Sequence, residues 1–188
     1  MFEPQPFDRE KHVYRCDEFS ELLKDAVRFF HGTPVSLFPP KERFTGAGVY
    51  ALYYIGKKGL YAKFGQEINR EEYRLPIYVG KAEPTGWRQS GSMSISEQLS
   101  NLGSLITKSR GLQLCDFRIR AVSASDCPIC ADVYAHLIKN YRPVWNRFIF
   151  RKTTDVTTRR WLLFHPTSRM SRMNRLAREA IKRYLESA

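Results

Sequence analysis

The sequence predicts an α+β fold, a small mixed or antiparallel β-sheet flanked by helices, with helical extensions at both ends. Three observations carry this. Two short strings rich in β-branched and aromatic residues, Gly48-Val-Tyr-Ala-Leu-Tyr-Tyr54 and Pro76-Ile-Tyr-Val-Gly80, have strand character. Asp116-Phe-Arg-Ile-Arg-Ala-Val122 alternates apolar and charged residues, as a strand with one buried face does. Around these strings, apolar residues recur at helical spacing.

Taken in order, a Pro-containing arm leads to Phe19, Leu22, Leu23, Ala26, Val27 and Phe30, a helical pattern with Asp17 available as its cap. From 32 to 48, Pro34, Pro39, Pro40 and Gly46 block a regular helix and predict a connecting loop. The two strand strings read as a hairpin with a long polar connection containing Gly56, Gly59 and Gly65. That connection interleaves Lys57, Lys58, Lys63, Arg70 and Arg74 with Tyr61, Phe64 and Tyr73. It suits either a surface laid along a nucleic-acid backbone or a solvated loop.

Ile95, Leu99, Leu102, Leu105 and Ile106 form the next helical stripe, with Ser92 or Ser94 to accept hydrogen bonds from its first free amides. After the 116–122 strand, a helix is expected over about 127–141, with Asp126 as cap and Pro128 in its first turn. Pro143 ends it by disfavouring helical geometry at Arg142.

Near the C-terminus, Met170, Met173, Leu176, Ala177, Ala180, Ile181, Tyr184 and Leu185 share one helical face. Arg169, Arg172, Arg175, Arg178, Lys182 and Arg183 occupy others. The apolar side lacks Trp and Phe, which favours docking on the domain over lying on a membrane surface. The expected organisation is an N-terminal arm, helix and loop over 1–45, a central domain over 46–150, and a basic extension over 151–188.

With 188 residues, 43% hydrophobic and 13% aromatic, the chain is large enough for one domain with a sizeable core. Its formal charge of +12 points to a polyanionic partner. No apolar run is long enough to span a membrane and the polar start lacks a secretory core, so a cytoplasmic protein with reduced thiols is expected. Cys127-Pro-Ile-Cys130 has the spacing of half a zinc site, but no second pair follows, and packing at a helix start is the simpler reading.

Gly48-Val49-Tyr50 and, about thirty residues on, Tyr78-Val79-Gly80 resemble the paired tripeptides of the GIY-YIG nuclease superfamily. The wider strings GVYALYY, PIYVGKAEPTGWR, DFRIR and HLIKNYRPVWN resemble successive blocks of a type II restriction-endonuclease branch, that of the SacII isoschizomers. The resemblance runs from about Gly46 to Asn146. It implies a small sheet with both tyrosines near one edge and a face that receives duplex DNA. It also implies a division of labour: a tyrosine that helps activate water, a helix arginine that holds phosphate, a glutamate that binds a divalent metal, and an added histidine and asparagine.

Tyr50, Tyr78 and Asn146 occupy retained positions of that set. In the ungapped comparison Gln98 stands at the arginine, Leu102 at the histidine and Tyr134 at the glutamate. Neutral glutamine does not neutralise phosphate, leucine exchanges no proton, and un-ionised tyrosine is a poor magnesium ligand. Glu97, Asp132 and His136 lie one or two residues from the altered positions, rotated about 100° or 200° away on a helix. Lys81, Arg88 and Lys108, with Lys57, Lys58, Arg70 and Arg74, are the candidate phosphate contacts.

The expected function is duplex-DNA binding by a pseudo-nuclease, as a homodimer if the recognised site is palindromic, with no cofactor. An active nuclease using Mg2+ or Mn2+ and an altered residue set is the first alternative, and a protein-interaction module without DNA binding the second.

Overall fold

The computed structural model describes residues 16–42, 46–57, 59, 61–82, 94–109, 111–124, 129–149 and 182. Helix α1 spans Asp17–Gly32, followed by a two-residue strand β1 (Ser36–Leu37), β2 (Ala47–Tyr54) and β3 (Tyr78–Ala82). Helix α2 (Ile95–Thr107), β4 (Phe117–Ala124), α3 (Cys130–Tyr141) and α4 (Val144–Ile149) complete it. The strands lie in the order β1-β4-β2-β3, and every neighbouring pair is antiparallel. The sheet of the described residues is therefore not mixed. β1 is a correction to the loop expected between 32 and 48, since Ser36 and Leu37 pair with Ile119 and Arg118.

All eight residues of the central strand β2 are buried because helices cover both faces of the sheet. Tyr50, Leu52 and Tyr54 pack on one side with Leu99, Leu102 and Ile106 of α2 and Val144 and Trp145 of α4. Val49, Ala51 and Tyr53 pack on the other with Phe30 of α1 and Val133 and Leu137 of α3. Alternation along one strand thus feeds two cores, as the period of two requires.

The charged positions of β4 are not simply solvent-facing. Arg120 lies on the α1 and α3 side, its guanidinium 5.6 Å from the centre of the Tyr53 ring.

The β2–β3 connection corrects the DNA-facing expectation for its aromatics. Tyr61 and Phe64 are buried in the Tyr50-side core, and Tyr73 packs edge-on against Tyr53. The segment closes through a π-helical turn, Phe64–Ile68, whose last buried neighbour, Asn69, ties it down. The Asn69 amide donates to the Tyr54 and Leu75 carbonyls at 3.1 and 3.0 Å and accepts from the Leu75 N–H at 3.0 Å.

Helix α3 begins at Cys130, later than the expected 127, and ends where Arg142 adopts the left-handed conformation just before Pro143. Asp126, Cys127 and Pro128, the N-terminal arm, Lys58 and Arg88 lie outside the described residues. The expected C-terminal helix does too, apart from Lys182, which is helical and exposed. Among the described residues no helix is long and apolar enough to cross a membrane.

Candidate functional site

The two glycines of the paired tripeptides are demanded by close approach. Tyr50 pairs across the hairpin with Gly80, and a Cβ on Gly80 would fall onto the Tyr50 phenol, with ring atom Cε1 at 2.7 Å. Only a residue without a side chain lets the phenol lie across β3. At Gly48 a Cβ would collide with the Val122 carbonyl and stand 2.7 Å from Ile95 Cδ1, so glycine there lets β4 and the start of α2 close on the hairpin.

The phenol so placed meets its neighbours at the edge of the sheet. The Tyr50 hydroxyl donates to Gln98 Oε1 on α2 at 3.0 Å, and the Tyr50 and Tyr78 ring centres are 6.0 Å apart. Burial, then the adjacent Tyr78 phenol, pushes the Tyr50 hydroxyl well above the ordinary tyrosine pKa. Tyr50 is therefore a neutral hydroxyl at physiological pH, with its proton held by an amide oxygen. An arginine at position 98 would bring a positive charge that favours the phenolate; glutamine supplies only an acceptor that favours the phenol.

Leu102, one turn further along α2, is 7% exposed and belongs to the same apolar core as Tyr50.

Tyr134, half-buried on α3, approaches from the other side of the β3 edge. Burial, then Tyr78, raises its pKa to about 12, with a hydrogen bond from Asn146 opposing. Lys81 of β3 holds its ammonium 5.8 Å from the centre of the Tyr134 ring.

Asn146 has a well-defined task. It accepts the Val79 N–H at Oδ1, 2.8 Å away, and donates Nδ2 to the Val79 carbonyl at 2.7 Å. Because β3 is an edge strand, this side-chain amide stands in for the missing next strand, and the Trp145 N–H adds a bond to the Ile77 carbonyl at 3.0 Å. Asn146 is thus a positioning residue that holds Val79, between Tyr78 and Gly80, in register.

The residues here do not fit a divalent cation. A phenol with a pKa of about 12 is neutral at pH 7, magnesium prefers carboxylate oxygen, and the Lys81 ammonium already supplies positive charge beside Tyr134. Among the described residues no three His, Cys, Asp or Glu side chains cluster as metal ligands would. Glu97 is engaged elsewhere. Its carboxylate accepts from the Ser94 N–H at 2.8 Å and the Ser94 hydroxyl at 3.0 Å, closing a capping box at the start of α2. The Ser94-x-x-Glu97 spacing was a sequence signal for that role. Asp132 is on α3 two residues from Tyr134, and His136 hydrogen-bonds Asn140 at 2.7 Å.

The structure brings Tyr50, Tyr78, Gln98, Tyr134, Asn146 and Lys81 together, keeps Leu102 in the core that holds Tyr50, and scatters the other described cations. Lys108 caps the far end of α2. Lys57 and Arg70 are exposed on the β2–β3 connection, where Arg74 is paired with Glu72 at 2.6 Å. Asn69 and the positioning role of Asn146 had no separate sequence signal, since both depend on backbone groups brought together only by folding.

No curated protein matches the sequence. Residues 42–151 match the family described as the Eco29kI GIY-YIG domain, more than half of the chain and the stretch that builds the hairpin, α2, β4, α3 and the Asn146 lock. With the tyrosine pair, its two obligatory glycines and that match in agreement, the chain belongs to the Eco29kI GIY-YIG family, a restriction-endonuclease branch of the GIY-YIG superfamily.

Proposed function

We propose that this protein is a pseudo-nuclease, a GIY-YIG domain that binds duplex DNA and hydrolyses it weakly or not at all. The observation that carries this reading is the hydrogen bond from Tyr50 to Gln98, at the position where the family resemblance implies a phosphate-holding arginine. Phosphodiester hydrolysis needs an activated water and charge stabilisation for the pentavalent phosphate. Here the phenol is protonated, its partner is neutral, and Tyr134 replaces the metal-binding carboxylate.

DNA binding is supported by family membership and by the charge of +12. Lys81 beside the tyrosines, with Lys108, Lys57 and Arg70 exposed, supplies cations for phosphate oxygens. Arg88, Lys58 and Arg74 complete the proposed set. A palindromic site would be read by a two-fold dimer, one protomer to each half.

Gel-shift titration of a duplex library at low and physiological salt tests the binding half of the proposal. Association should weaken steeply as salt rises, because each neutralised phosphate releases counterions. Absence of binding even at low salt would favour a protein-interaction module instead. The second reading, an active enzyme that takes Mg2+ or Mn2+, draws on the retained contact between Tyr50 and Tyr78. It requires a metal site built differently from the family's.

A further inference from the structure

Helix α1 is amphipathic, but its apolar surface is wider than the face it buries. Leu23, Ala26, Val27 and Phe30 pack against the sheet and α3. Leu22 and Phe29 remain 56% and 65% exposed, and Phe19 is 43% exposed. At about 100° per residue, Leu22 and Phe29 fall within about 20° of each other on the helix, and the positions next to them outward are Glu18 and Asp25. An uncovered apolar ridge with an acidic rim stands out on a chain whose net charge is +12.

We infer that this ridge is the docking site for the chain's own C-terminal segment, residues 169–185. Its sequence supplies the complement: an apolar helical stripe through Met173, Leu176, Ala180 and Ile181, with six cations, from Arg169 to Arg183, against the single acid Glu179. Reach is sufficient. The C-terminal end of α3 meets the C-terminal end of α1, where the Tyr141 hydroxyl lies 3.2 Å from His31 Nε2, and α4 starts three residues later. Residues 150–168 then intervene, and a chain of about twenty residues extends up to roughly 60 Å.

Two α1 ridges face to face would set the Glu18 and Asp25 rim against itself, with Arg28, 3.6 Å from Asp25, offsetting only part of that repulsion. Charge therefore selects the basic segment over a second copy of α1. Docking would lay the apolar stripe over the exposed Leu22 and Phe29 side chains and set flanking arginines beside Glu18 and Asp25.

Hydrogen–deuterium exchange on the full chain tests this. In the wild type, amides of 169–185 are protected. In Leu22→Glu/Phe29→Glu, at positions too exposed to hold the core together, exchange in 169–185 accelerates about tenfold or more while β2 and β4 stay protected. The reciprocal Leu176→Glu/Ile181→Glu accelerates exchange in residues 17–32. Three results would overturn the inference: an unprotected 169–185 in the wild type, protection indifferent to the α1 variant, or protection that grows with protein concentration alongside a dimer mass, which would assign the ridge to a second molecule.

Discussion

The hairpin and the two helices that close on it differ in what they bring to the site. In β2 and β3 every feature that sets geometry is present: Gly48 and Gly80 at the points of closest approach, Tyr50 and Tyr78 side by side, and the free edge of β3 locked by Asn146. In α2 and α3, Gln98, Leu102 and Tyr134 carry no charge at the positions where the family resemblance implies an arginine, a histidine and a glutamate. The difference teaches that the shape of such a site does not depend on its charges. An amide that accepts the Tyr50 proton and a phenol that accepts a hydrogen bond from Asn146 satisfy the same buried groups that an ionic set would, without the cost of desolvating charges.

If the hairpin carries the geometry, damage there should dominate. The largest effect is expected from Gly80→Ala, whose methyl group would displace the Tyr50 ring and cost about 3 kcal/mol by overpacking, read from urea unfolding at constant m-value. A smaller loss, near neutral, would mean that the phenol sits elsewhere. Asn146→Ala follows at roughly 2 kcal/mol, because the Val79 N–H and C=O both lose their buried partner. A thermal melt indistinguishable from wild type would remove its positioning role.

These residues also show what the sequence made legible. Strands β2, β3 and β4, helices α1 and α2 and the stop at Pro143 could be read from periodicity and turn chemistry, and the paired tripeptides marked the two tyrosines; the two-residue β1 could not. Two-sided burial was not legible for Tyr61 and Phe64. Flanking lysines and glycines made their segment look like a solvated loop, yet a π-helical turn folds both rings into the core. Helix rotation already turned Glu97 away from the Gln98 position, but its capping partner Ser94, three residues earlier, went unread although the Ser-x-x-Glu spacing signals it. In each case a local pattern competed with contacts set by distant backbone.

At the helices, expected effects on stability are smaller. Tyr50→Phe removes one hydrogen bond to Gln98 and should cost under about 1 kcal/mol, a value that an ionic partner at 98 would exceed. Alkaline titration sharpens the same point. Tyr134 keeps its proton up to about pH 12 in the folded state and loses it near 10 when unfolded, so the unfolded state binds fewer protons across that window. Its stabilising contribution is therefore complete below pH 10 and falls as pH rises toward 12, with Tyr50 acting in the same direction. Ultraviolet difference spectra should show both phenols ionising late. Either one titrating near 9 would mean that a cation, such as Lys81 beside Tyr134, outweighs burial at the site.

The most direct test of a grip without a blade is to incubate the purified full chain with duplex DNA of varied sequence and magnesium or manganese, scoring binding and strand scission in the same tubes. Salt-sensitive complexes whose DNA is recovered intact are expected. Site-specific cuts that need the metal and disappear in Tyr50→Phe would contradict it.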